Sequence, residues 1–106
     1  MTLRSRLSDL NIEDDIVRAY FYGDVLAYSR DGTRTDCIEY AVKLDEVQRP
    51  DLLAYRVYGT PDLRWLVSLV ADVEDEADPL PVGQVLRFPP AAWLRERIRH
   101  YTDGAT

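Results

Sequence analysis

The feature that most constrains this chain is a helix break at residues 58–62. Tyr58-Gly59-Thr60-Pro61-Asp62 separates two short apolar runs of helical spacing. Gly59 accepts the left-handed backbone that ends a helix, Thr60 caps the next one and Pro61 suits its first position. Asp62 puts a carboxylate beside the positive end of the helix dipole. The run before the break, starting at Pro50-Asp51, spaces Leu52, Leu53, Tyr55 and Val57 for apolar contact. The run after it repeats Leu63, Leu66, Val67 and Val70 at intervals of three and four, with Trp65 and Leu69 widening the stripe. Two helices this short do not hold their shape alone in water, so they must pack on something else.

A sheet is expected on both sides of the pair. Residues 40–44 alternate, with Tyr40, Val42 and Leu44 on one face, as a half-buried strand requires. Residues 81–83 read as a turn into an alternating strand, where Val85 and Leu86 compete for the inward face and Pro89 stops the pairing. Upstream, residues 25–29 and 35–40 flank Arg30-Asp31-Gly32-Thr33. Asp-Gly between two strand-like runs predicts a β-hairpin, since both turn residues tolerate positive φ. Residues 91–101 read as a short amphipathic helix, with Trp93, Leu94, Ile98 and Tyr101 on one side and Arg95, Arg97 and Arg99 elsewhere. The organisation expected is therefore an N-terminal arm and hairpin over 1–39, a strand–helix–helix–strand unit over 40–89, and a C-terminal amphipathic helix and tail over 90–106. The fold class is α+β.

Composition narrows the function classes. The 106 residues provide for one modest core, and no stretch reaches the length of about 20 apolar residues that a membrane span needs. The N-terminus leads into polar sequence, so no secretion signal is expected and the chain is read as made in a cytoplasm. A net charge of −6 argues against a nucleic-acid binder. Residues 72–78 hold five of the acidic side chains, and Arg87, Arg95, Arg97 and Arg99 gather near the end. Lone Cys37 excludes an internal disulfide and a cysteine-cluster zinc site. A Cys37–His100 thiol–imidazole pair lacks a third, orienting group. The acidic loop lacks the spacing of a calcium loop, and no glycine-rich phosphate loop occurs. No catalytic, cofactor-binding or metal-binding residue is assigned, and no enzyme is expected. Tyr55, Tyr58 and Trp65 either fill the core or line a groove for a sugar or a peptide. Trp93, Tyr101 and the three arginines are of the types enriched at interfaces and form the candidate partner surface.

The ordered set Asp51, Leu52, Leu53, Ala54, Tyr58, Gly59, Trp65, Pro79, Leu80, Gly83, Leu86 and Pro89 resembles the LysM-like domain in its baseplate form. That form occurs in small wedge or hub-associated proteins of contractile phage tails, R-type pyocins and contractile injection systems. The resemblance covers about fifty residues. It implies a β-α-α-β core, preceded here by the expected hairpin and followed by a short helix. It also implies a structural role in a baseplate, joining hub, tube or wedge proteins in several symmetric copies of a virion or tail-like particle. Pairing of the acidic loop with the basic end between neighbouring subunits would then fix orientation. The alternative is a module binding peptidoglycan or chitin. Sugar-binding relatives enter the first helix through Gly-Asp-Thr, whereas Gln48-Arg49-Pro50-Asp51 stands here, so glycan binding is not the expected role.

Overall fold

A computed structural model describes residues 7–75 and 77–103, with the backbone alone for residue 103. The first six residues of the expected arm and the last three of the tail lie outside the described residues. The elements run α1 (Asp15–Arg30), β1 (Ile38–Ala41), α2 (Pro50–Tyr58), α3 (Arg64–Val70), β2 (Val85–Phe88) and α4 (Ala91–Asp103). Short 3-10 turns precede α1 at Asp9–Asn11, link β1 to α2 at Leu44–Glu46 and lead into α3 at Pro61–Leu63. The strands pair antiparallel, with Ile38 opposite Phe88 and Ala41 opposite Val85. The result is a small α+β protein, with four α-helices and one two-stranded sheet among the described residues.

The expected N-terminal β-hairpin is not formed. Residues 15–30 make a single four-turn helix, and Asp31-Gly32 follows its end instead of turning a hairpin. Asp14 starts α1, its carboxylate accepting from the amides of Ile16 at 2.8 Å and Val17 at 3.2 Å. Phe21, Val25 and Tyr28 recur at intervals of four and three, and all are buried. Gly23 lies on the solvent side, where it costs helix propensity and breaks nothing.

The break at Gly59 forms as expected. Gly59 has φ +79° and its amide donates to Tyr55 O at 2.7 Å; Thr60 Oγ1 then accepts from the Asp62 amide at 3.2 Å. A Cβ added at Gly59 meets no atom within 4 Å, so Gly59→Ala is penalised by the backbone alone. The expected loss is about 1 kcal/mol, or a fall in Tm of roughly 5 °C on thermal denaturation.

Gly83 has φ +83° in the turn into β2, where the Gln84 amide donates to Pro81 O at 3.2 Å. Leu86 wins the inward position at 2% exposure, and Val85 faces solvent. The first strand is displaced from the expected residues 40–44. Val42 is buried, but the 3-10 turn swings Leu44 out to 81% exposure. Among the described residues one core joins the four helices and β2: Phe21 and Val25 from α1, Leu53 from α2, Leu63, Leu66 and Val67 at α3, Leu86 and Phe88 from β2, and Leu94 and Ile98 from α4.

Candidate functional site

The expected partner residues on α4 divide into two groups. Leu94 and Ile98 point into the core, which sets the rotation of the helix. Trp93 is half-buried with its ring 4.3 Å from that of Tyr28, whose other neighbour is the Arg34 guanidinium at 4.4 Å. Burial and the hydrogen bond to Asp36 push the Tyr28 hydroxyl up to about 12. Tyr101 donates its hydroxyl to Asp24 of α1, and Arg97 pairs with the same carboxylate at 3.3 Å. Burial, then that hydrogen bond, also raises the Tyr101 hydroxyl. Trp93, Tyr101 and Arg97 therefore hold α4 against α1 within this chain. Arg95 and Arg99 are exposed on the side of α4 away from the core.

The three aromatics of the middle region also separate. Tyr58 donates its hydroxyl to Pro89 O at 2.5 Å and sits edge-on to Phe88 at 6.1 Å. Trp65 donates its indole N–H to Leu7 O at 3.0 Å and lies 5.5 Å from Phe21. Both serve the body of the fold. Tyr55 corrects the inward expectation, standing 59% exposed on α2. The three do not line a common groove.

The strongest polar arrangement involves none of the residues named from sequence as site candidates. Glu46 is fully buried, and its carboxylate accepts from the Tyr40 hydroxyl at 2.6 Å, the Lys43 amide at 2.8 Å and Arg56 Nη1 at 2.8 Å. Arg56 forks onto exposed Asp45 at 2.9 and 2.8 Å as well. Burial alone would raise the Glu46 carboxyl, but the hydrogen bonds from Tyr40, Lys43 and Arg56 hold it below the ordinary carboxylate range. Each donor already has its acceptor, and the carboxylate is shut from solvent. The cluster therefore fastens β1 to α2 and is closed to a substrate.

Among the described residues no other group of side chains gathers into chemistry. Cys37 Sγ lies 3.8 Å from Tyr28 O, while His100 is exposed with its ring edge-on to Tyr101. Among the described residues no three His, Cys, Asp or Glu side chains come together as a metal site. No helix of the described residues is long and apolar enough to cross a membrane. The β1–α2 and α3–β2 loops are bonded to each other, the Leu80 amide donating to Val47 O at 2.8 Å. Sequence reasoning missed the solvent side of α1, where Ile16 and Tyr20 stand exposed, because the hairpin reading dissolved the helix that aligns them. Comparisons with protein-family models, curated proteins and solved structures found no match to this chain.

Proposed function

We propose that this chain is a non-enzymatic structural subunit of a contractile tail baseplate, acting as a small rigid piece that other tail proteins grip. One observation supports the reading above others. Strands β1 and β2 pair antiparallel around two short helices broken at Gly59, the order and closure that the baseplate LysM-like resemblance implies. Exposed Arg95 and Arg99 on α4, together with the acidic loop at residues 72–75, supply charges of both signs for contacts with hub, tube or wedge proteins. Such contacts set orientation and partner choice more than affinity.

Purified tail-like particles from the source cell test the assignment. Mass spectrometry is expected to find the chain at fixed stoichiometry with sheath and tube proteins, and its absence from intact particles overturns the reading. The double variant Arg95→Glu, Arg99→Glu is expected to fold, since neither side chain is in the core, and to reduce incorporation into particles. Unchanged incorporation would remove α4 from the interface. A sugar-binding module would instead show amide shifts near Arg49 and Gln84 with millimolar chitin fragments. The hydrogen bond tying residues 47 and 80 across those two loops weighs against that outcome.

A further inference from the structure

Helix α1 is apolar on two sides, and among the described residues only one is covered. Its inner side carries Phe21, Val25 and Tyr28 into the core, packed by α3, α4 and β2. Its outer side presents Ile16, Ala19, Tyr20, Gly23, Ala27 and Arg30, all exposed. At about 100° per residue these six share an arc of about 100°, a single straight stripe. The solvent side of a helix is ordinarily charged. Here Ile16 is 71% and Tyr20 68% exposed, and no charge enters the stripe until Arg30.

The stripe is graded in size and in charge. Its large side chains, Ile16 and Tyr20, lie in the first half, and its smallest residues, Gly23 and Ala27, in the second. A Cβ built on Gly23 meets nothing within 4 Å, so another backbone has room to approach there. Glu13, Asp14 and Asp15 stand exposed at the N-terminal end, the Asp15 side chain at 91%. Arg30 stands exposed at the other end without an ion-pair partner among the described residues.

We propose that this face is a homodimer surface, on which two copies pack α1 against α1 in antiparallel fashion about a twofold axis at Gly23. The grading selects both the occupant and the direction. Antiparallel pairing seats each Tyr20 on the Gly23–Ala27 shelf of the other copy, so large meets small twice. Parallel pairing would set Tyr20 on Tyr20 and leave a gap at Gly23. The antiparallel register also brings Arg30 of each copy to the acidic end of the other helix, where the carboxylates of residues 13–15 favour it. One helix pair buries less than the roughly 800 Å² per partner of a standard interface, so the dimer forms weakly and its population follows concentration. The proposal does not depend on the baseplate assignment.

Sedimentation velocity of the full chain, from micromolar to about 1 mM, reads the outcome directly. The weight-average mass is expected to climb from 12.2 kDa toward twice that value. Tyr20→Glu and Ala27→Glu, both exposed and so expected to keep the wild-type melting curve, should each weaken association at least about tenfold. In a Cys37→Ser background, Gly23→Cys is expected to cross-link to itself on mild oxidation, as a register that sets residue 23 opposite its own copy allows. A wild-type chain that stays monomeric at the highest concentration overturns the proposal. So does a Tyr20→Glu chain that associates like wild type, or a monomer whose α1 face binds anionic vesicles instead.

Discussion

Glu46→Ala is expected to cost about 3 kcal/mol of folding stability, a fall in Tm of roughly 15 °C by calorimetry or circular dichroism. The substitution removes a fully buried side chain and strands the Tyr40 hydroxyl and the Lys43 amide in the space it leaves. Glu46→Gln keeps the size and an acceptor but loses the charge facing Arg56, so it should fall between Ala and wild type. Arg56→Ala removes the cation and leaves the buried carboxylate with two neutral donors. A double substitution at 46 and 56 less damaging than the sum of the singles would show that the two act as one unit.

The same carboxylate gives a pH signature with a definite sign. Its folded pKa lies below the ordinary value of 4.5, so folding is favoured wherever the group is ionised in both states. That stabilisation is complete above the unfolded value and is lost as pH falls through the folded one. Asp45, which Arg56 also holds low, contributes in the same direction from its exposed position. Acid unfolding of the wild type should therefore begin below pH 4.5. In Arg56→Ala the carboxyl loses its cation and rises, which moves the acid limb to higher pH. An Arg56→Ala chain with an unmoved acid limb would mean that the ion pair does not set the Glu46 titration.

What was legible in the sequence is what local chemistry decides. The Gly59-Thr60-Pro61 break depends on one residue tolerating positive φ and the next two starting a helix, and it formed as read. The Pro81–Gly83 turn and the stop at Pro89 are decided in the same way. The N-terminal region failed because two periodicities compete there. Residues 25–29 are a short apolar run that reads as a strand, and Asp31-Gly32 is placed as a hairpin turn would be. Phe21, Val25 and Tyr28, however, are spaced for one helical side, and docking that side on α3, α4 and β2 outweighs the local preference. The Glu46 cluster was invisible for a different reason. Its closure depends on Arg56, ten residues away on another element, and nothing in the local spacing marks one of nineteen acidic residues as the buried one. The α4 surface was half legible: the apolar stripe was clear, but only the folded chain shows that α1 fills it.

That last point makes α4 the best place to separate core from surface. Leu94→Ala is expected to destabilise the chain by about 3 kcal/mol, because the side chain is fully buried and its truncation leaves a cavity. Ile98→Ala should behave alike at 3% exposure. Arg95→Glu, one residue along on the solvent side, should shift stability by no more than about 0.5 kcal/mol. Urea titrations of the three variants test the pattern, with equal m-values showing that the folded and unfolded states are otherwise alike. Had α4 been an appendage reserved for a partner, Leu94→Ala would leave the isolated chain unaffected. Packed as it is, with Tyr101 and Arg97 both engaging Asp24, the helix belongs to the fold first. Another protein would meet the exposed side of α4, where Ala92, Arg95, Glu96 and His100 lie, and a Leu94→Ala chain that melts like wild type would reverse that order.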